Sequence, residues 1–307
     1  MAEYYTHHPV LLHESIDYLI SDIGGYYVDA TLGGGGHSIE ILNRLDANGR
    51  LFGVDQDMEA HEAAADRIGD DDRFVPVYGN FGDLLTLLPP DLHAQFDGIL
   101  FDLGVSTHQL KEAERGFSFQ HEGPLNMRMS ELSGLSAYEV VNSYSYEKLR
   151  DVIFHYGEER RSREIARSII DARPLETTTD LKTAVTNVVK GQHQVKSLAR
   201  VFQAIRIEVN RELDVLKTAL ESTLPLLRPG GRIVAISYHS LEDRLVKHFF
   251  KSGNFEGTIQ KDFYGHPIVP LKPVVSSIIT PGDEEKKVNP ASRSAKMRVA
   301  ERLEDVS

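Results

Sequence analysis

The sequence predicts an α/β protein in which a largely parallel sheet is interrupted by an inserted helical domain. Three observations predict it. Strand and helix patterns alternate over the first hundred residues, mainly helical signals fill residues 106–210, and an apolar strand pattern returns at residues 231–237.

Taken in order, residues 26–30 read as a strand that ends in a glycine turn, Gly33 to Gly36, and residues 37–45 as a helix. Residues 50–55 read as a second strand, residues 58–68 as a helix, and residues 73–78 as a third strand. Residues 96–103 make a fourth, nearly all apolar, as a parallel strand covered on both faces should be. Strands separated by helical segments of this length imply right-handed βαβ units. In the insertion, Thr177, Thr178, Thr179 and Asp180 form a helix-start cluster before Leu181, Ala184, Val185 and Val188. Phe202, Ile205, Val209, Leu213, Leu216 and Leu220 recur at steps of three and four, the apolar stripe of a helix. Near the end Lys296 and Arg298 alternate with Met297 and Val299, which suits a strand with one wet face. The expected organisation is one discontinuous α/β domain, residues 1–105 with 211–307, and an inserted helical domain, residues 106–210, for substrate recognition.

Composition narrows the function. The chain has 307 residues, 41% apolar and 26% charged, the profile of a globular protein with a sizeable core. It has no Cys, which excludes disulfides, thiolate metal sites and thiol catalysis and fits a reducing compartment. The N-terminus lacks the basic start and apolar core of a signal peptide, and no apolar run approaches the ~20 residues of a membrane span. The expectation is a cytoplasmic protein with no membrane partner. Net charge is -12, which alone argues against nucleic acid. Yet residues 150–211 hold twelve Lys and Arg against eight Asp and Glu, and residues 286–302 hold six against one. Screening confines each field to roughly 10 Å, so RNA stays open if the two basic stretches lie together. His7, His8 and His13 have no accompanying cluster of ligand-type residues, and no metal is expected.

Asp29, Asp55 and Asp102 end three predicted parallel strands, the side of such sheets where ligands bind. The glycine turn follows the first, where a missing Cβ lets backbone approach a ligand. Asp55 stands about 20 residues past that turn, the usual place for an acid that binds ribose hydroxyls. Two cofactors compete for this pattern. A dinucleotide places its pyrophosphate at the helix N-terminus, and Asp29 would add negative charge beside it. S-adenosylmethionine has no phosphate; its sulfonium and ammonium groups are attracted to carboxylates. The acidic rim therefore favours S-adenosylmethionine over a nicotinamide cofactor. The plain alternative is that the glycines only make a tight turn and the acids only cap helices.

Longer strings narrow this further. They include Asp29-Ala30-Thr31-Leu32-Gly33-Gly34-Gly35-Gly36-His37-Ser38, Asp97-Gly98-Ile99-Leu100-Phe101-Asp102-Leu103-Gly104-Val105-Ser106 and Ser237-Tyr238-His239-Ser240-Leu241-Glu242-Asp243-Arg244. Others lie at residues 8–12, 114–119, 123–129, 202–210 and 289–296. Together, in order and over essentially the whole chain, they resemble the bacterial ribosomal RNA small subunit methyltransferase H family, also called MraW. The resemblance implies a Rossmann-like class I methyltransferase sheet. It also implies S-adenosylmethionine-dependent methylation of the exocyclic N4 of one cytidine in the decoding region of 16S ribosomal RNA, within the small subunit or a late precursor. It implies cofactor contacts at Gly35, Gly36, His37, Asp55, Phe81, Asp102 and Gln109. It leaves the oligomeric state open, a homodimer included. The chain departs from the family pattern at Asn126, where Asp is usual, and over residues 195–200, where a Pro and Thr are common.

For the chemistry, Asp102 suits an acceptor of the amine proton and equally a holder of the cofactor's adenine amine. His239 lies at the end of another strand and could reach the target base, while Ser240 with Asp243 also fits a structural helix cap. Arg200, Gln203, Arg206 and Asn210 form one helical row that could grip phosphates or simply face solvent. Arg160, Arg161, Arg163 and Arg167 carry the same ambiguity. Arg293, Lys296 and Arg298 are the candidate RNA contacts of the C-terminal basic stretch.

Overall fold

The computed structural model describes residues 9–105, 110, 112–130 and 134–304. The chain divides into two compact units, Met1–Gly104 with Asp214–Ser307, and Val105–Leu213.

Among the described residues the first unit holds nine strands: β1 (Tyr26–Asp29), β2 (Arg50–Asp55), β3 (Phe74–Tyr78), β4 (Phe96–Asp102), β5 (Leu227–Ser237), β6 (Gln260–Lys261), β7 (Pro267–Ile268), β8 (Leu271–Pro273) and β9 (Lys296–Arg302). Seven form one sheet in the order β3-β2-β1-β4-β5-β9-β8, while β6 and β7 pair separately. From β3 to β5 all pairs are parallel; β9 runs antiparallel to β5, and β8 antiparallel to β9. The helices Gly36–Arg44 and Met58–Ile68 make the crossovers from β1 to β2 and from β2 to β3. Pro76 has no amide to give a ladder, and it sits on the edge strand β3, where that is tolerated.

Successive strand residues point to opposite faces, and the core divides accordingly. Val28, Phe52, Ile99, Phe101, Ile233 and Ala235 join one buried cluster, with Leu216, Leu220 and Phe249 from helices. Their neighbours Tyr27, Leu51, Leu100, Val234 and Ile236 join the other, with Ile16, Leu19 and Ile41. Both faces are covered, which is why the strands read as continuous apolar runs. The carboxyl ends of β1, β2 and β4 are left as the place where polar side chains gather.

The second unit is helical, with Ala137–Ser143, Tyr146–Gly157, Ser162–Asp171, Thr178–Val188 and Gln194–Asn210 packed around Val141, Ile153, Ile169, Val185, Phe202 and Ile205. Thr177 caps the helix that the threonine cluster announces: its side chain accepts from the Asp180 amide, and Asp180 returns the bond to the Thr177 amide. The apolar stripe of residues 202–220 is not one helix. Gln194–Asn210 stops at Arg211, whose φ of 50° is left-handed, and Glu212–Leu226 begins after it. Phe202, Ile205 and Val209 belong to the helical unit's core, and Leu216 and Leu220 to the sheet's. Hydrophobic period does not register a single reversed φ, and Arg carries none of the glycine signal that usually marks one.

Candidate functional site

The site is built on the first unit, around the turn that follows β1. The helix after the turn starts at Gly36, and its N-cap Gly35 has φ 73°, a left-handed conformation costly for a residue with a Cβ. A Cβ on Gly36 would lie 2.3 Å from Pro9 Cγ, so close packing fixes glycine there too. Two turn amides are already satisfied: Gly35 N donates to Leu32 O at 2.8 Å and Gly33 N to Asp55 Oδ2 at 2.9 Å.

The three strand-end acids differ. Asp29 is buried, and its two oxygens accept from Ser38 Oγ at 2.7 Å and Thr31 N at 3.2 Å. It braces the turn from beneath and does not line its open side. Asp55 accepts from Gly33 N and, at 3.0 Å, from Asp57 N, so each oxygen keeps a lone pair for a hydroxyl donor. Asp102 is partly exposed; Oδ1 accepts from the Tyr238 hydroxyl at 2.7 Å, and Oδ2 lies 3.7 Å from His37 Nδ1. The Asp102 amide donates to Thr31 Oγ1 at 2.7 Å.

Burial pushes the Asp29 carboxyl above its ordinary range, against His37 and the Ser38 bond. It pushes Asp55 up against the Gly33 and Asp57 amides, and Asp102 up against His37 and the Tyr238 hydroxyl. Burial and the adjoining Asp102 charge push the Tyr238 hydroxyl well up as well, so Tyr238 is held as the donor. His37 is itself buried and its Nε2 donates to Val10 O at 3.1 Å. Nε2 therefore bears a proton, and Nδ1 is the atom turned to Asp102. Phe81 opens a short turn after β3 and packs edge-on to Phe101, centroids 6.0 Å apart. Asn80 anchors that turn, accepting from Gly82 N at 2.8 Å and donating to Gln56 Oε1 at 2.8 Å. Gln109 lies outside the described residues.

The remaining candidates are more committed than their sequence suggests. His239, not Ser240, is the N-cap of the helix Ser240–Ser252: Nδ1 accepts from Glu242 N at 3.3 Å. Nε2 lies 3.1 Å from Glu242 Oε1, and Glu242 Oε2 accepts the Tyr238 and His239 amides. Nδ1 thus serves the helix start, while Nε2 is buried beside Glu242 and makes no hydrogen bond among the described residues. Arg206 is not a free cation either, because Glu212 fills its fork with bonds of 2.7 and 2.8 Å. Arg298 Nε donates to Asp243 Oδ1 at 2.7 Å, and Lys296 Nζ to Asp243 Oδ2 at 3.3 Å. Arg200 lies 3.5 Å from buried Glu159. Gln203 donates to Tyr156 O and Asn210 to Met127 O, so that polar row is also internal. Arg293 is exposed with no partner among the described residues. Arg167 stacks 4.6 Å over the Tyr146 ring. Asn126, in place of the usual Asp, receives Arg128 Nε at 2.8 Å.

Sequence reasoning gave no separate role to Tyr238 and Thr31, the two side chains that hold Asp102. Both stand inside the quoted strings, and the end of β5 beside β4 was the available signal for Tyr238.

These features define the class. A parallel sheet in this order, with a tight glycine turn after β1, acids closing β1, β2 and β4, and turn amides bonded within the protein, suits a cationic ligand better than a pyrophosphate. This is the Rossmann-like class I fold of the S-adenosylmethionine-dependent methyltransferases, and the carboxylates fit that cofactor. The chain belongs to the MraW methylase family, whose model matches residues 4–303. It is 49% identical over 300 residues to the ribosomal RNA small subunit methyltransferase H of Flavobacterium johnsoniae, covering 97% of this chain and 98% of that protein. It is 46% identical over 304 residues to the protein of the same name from Phocaeicola vulgatus, covering 98% and 99%. With that of Parabacteroides distasonis it shares 47% over 302 residues, 97% of each.

Proposed function

We propose that this methyltransferase modifies small-subunit ribosomal RNA at the exocyclic N4 of a cytidine in the decoding region. The observation that carries the chemistry is the Asp102 carboxylate at the end of β4, gripped by Tyr238 and faced by His37. The relatives' names supply the substrate class. When bound, S-adenosylmethionine supplies a methyl group on a positively charged sulfur that leaves as a neutral thioether.

With the cofactor bound, Asp55 would hold the ribose hydroxyls, Gly35 and Gly36 would let the main chain approach, and Phe81 and His37 would line the pocket. The amine must face the methyl carbon on the side away from the sulfur, and such positioning is worth up to about 7–11 kcal/mol in well-oriented systems. Cytosine N4 shares its lone pair with the ring. Asp102 accepts an N–H bond from it, returns electron density to the nitrogen and then takes up the proton. A carboxyl raised by burial is suited to that uptake. If Asp102 instead holds the adenine amine, the Leu103 or Gly104 carbonyl takes the acceptor role. The helical unit recognises RNA, Arg293 of the first unit adds a phosphate contact, and the enzyme acts in the cytoplasm on the small subunit or a late precursor. Among the described residues no helix is long and apolar enough to cross a membrane.

The test supplies purified protein with methyl-labelled S-adenosylmethionine and small subunits lacking the modification. Label should be recovered as N4-methylcytidine at one decoding-region position. Label confined to a ribose 2′-oxygen would overturn the assigned atom.

A further inference from the structure

Between the helix Ser240–Ser252 and β8 the first unit carries an arm to which the methyl-transfer site gives no role. At its tip Phe263 is 97% exposed and Tyr264 82%, more than any other large apolar side chain among the described residues. Scattered exposed apolar residues need no explanation, but two adjacent, almost fully exposed rings on a hydrogen-bonded support do.

The arm is anchored at both feet. On the outgoing side Phe255 stacks on buried Phe249 with centroids 5.3 Å apart, and His248 Nδ1 donates to Phe255 O at 2.9 Å. Asn254 Oδ1 then accepts the Gly257 and Thr258 amides. On the returning side Leu271 is in the sheet's core, and Pro270 O accepts Leu303 N at 2.9 Å. Between the feet, β6 and β7 pair Gln260 with Ile268 and Lys261 with Pro267. Asp262 closes the tip: Oδ1 accepts His266 N at 2.8 Å and Tyr264 N at 2.9 Å, and its own amide donates to His266 O. The His266 amide, ahead of the other donors, holds that carboxyl below its ordinary range. The Phe263 and Tyr264 rings meet edge to face at 5.6 Å and leave their outer faces to solvent.

Charge separates the possible occupants. In a chain of net charge -12, residues 244–273 hold Arg244, Lys247, Lys251, Lys261 and Lys272 against Glu256 and Asp262. Lys251, Lys261 and Lys272 are exposed and have no ion pair among the described residues. An apolar protein pocket would use the rings and strand the lysines. Unpaired nucleic acid uses both, because any base offers a face for stacking and each phosphate takes a cation.

We propose that residues 260–268 form an RNA-gripping arm, in which Phe263 and Tyr264 stack on unpaired bases while Lys261, and Lys272 on β8 at the arm's returning foot, hold the flanking phosphates. The arm binds substrate and takes no part in the transfer. This rests on the reading of the chain as an RNA methyltransferase.

The test uses the full chain, with a fluorescent oligouridine, an RNA duplex of the same length, transcribed small-subunit ribosomal RNA and unmodified small subunits. Phe263→Ala with Tyr264→Ala should weaken binding to oligouridine and to the transcript by about tenfold or more. Duplex binding, cofactor affinity, thermal unfolding and kcat at saturating subunits should stay unchanged while KM for subunits rises. Tyr264→Phe, which keeps the ring, should bind as the parent does. Lys261→Gln with Lys272→Gln should flatten the salt dependence by about two phosphate contacts. Unchanged transcript affinity in the double alanine variant overturns the proposal. So does a loss confined to assembled subunits, which would mark a protein-docking surface, and so does a Tyr264→Phe loss as large as that of alanine, which would mark a hydroxyl bond. Arm-dependent oligouridine binding by a parent chain that transfers no methyl group to subunits would refute the proposed function and leave the arm standing.

Discussion

The strand-end acids and the acids opposite the candidate RNA cations are alike in residue type and opposite in state. Asp29 is buried and Asp55 and Asp102 partly so, with no Lys or Arg beside them among the described residues, and burial drives all three carboxyls up. At Asp243 and Glu159 burial works in the same direction, yet the carboxyls end below their ordinary range. Arg298 and Lys296 outweigh it at Asp243, and the Arg161 amide, Ser197 and Arg200 outweigh it at Glu159. Acids already neutralised by cations hold the protein together. Of the acids kept without one, Asp55 and Asp102 are available to a cation from outside, and a sulfonium cofactor is such a cation.

The strongest way to break that contrast is Asp102→Asn, which keeps a partner for Tyr238 and removes the charge. We expect single-turnover methyl transfer to fall by about 10²–10⁴-fold, the usual contribution of a positioned acid or base. A change of less than threefold would place Asp102 outside the reaction. Arg206→Met tests the other side. It strands Glu212, whose side chain is only 11% exposed, and should cost about 3 kcal/mol of stability in urea unfolding while leaving cofactor affinity intact. Unchanged stability would show that the pair is dispensable and Arg206 available to RNA.

Asp55 sharpens the comparison through pH. Asp55→Ala should weaken cofactor binding by about 1–3 kcal/mol in calorimetry, the cost of losing bonds to a charged group. Because the folded carboxyl titrates above its ordinary 3.8, the folded state holds a proton that the unfolded state has released. Stability therefore falls as pH rises from 3.8 through the raised value. A bound cation favours the ionised form, so cofactor affinity rises over the same window, and Asp55→Asn should reduce both slopes. Asp243 has the opposite sign: its contribution is present above 3.8 and is lost as pH falls through its lowered folded value. A cofactor affinity that is flat in pH would contradict the account of Asp55.

What the sequence made legible follows the range of the forces involved. The strands, the glycine turn and the acids at the strand ends are set by neighbours a few residues apart, and they could be read from periodicity. The grip on Asp102 was not legible, because Tyr238 is 136 residues away along the chain. Arg206 looked free for a related reason. Its partner lies six residues on, beyond the three or four of a helical face, and is reached only because Arg211 reverses the backbone between them. Lys296 and Arg298 sit on alternate positions of β9, as the pattern required, but the acid they share is more than 50 residues earlier. His239 shows the limit of a local rule: the capping box was legible, its register was displaced by one residue, and the imidazole does the work of a hydroxyl.

The smallest expected effect separates cations that are free from cations that only look so. Arg293 and Arg298 are five residues apart in one basic stretch, and charge counting treats them alike. A phosphate contact made by a free cation releases roughly 0.7–0.9 of a counterion, so Arg293→Gln should flatten the salt dependence of RNA binding by about one contact and weaken affinity a few-fold. Arg298→Gln should leave that slope unchanged and instead lower the melting temperature, since Asp243 then keeps Lys296 as its remaining cation at 3.3 Å. If both variants flatten the slope equally, the Arg298–Asp243 bond opens to bind RNA, and a paired cation in this protein is no evidence against a role in the interface.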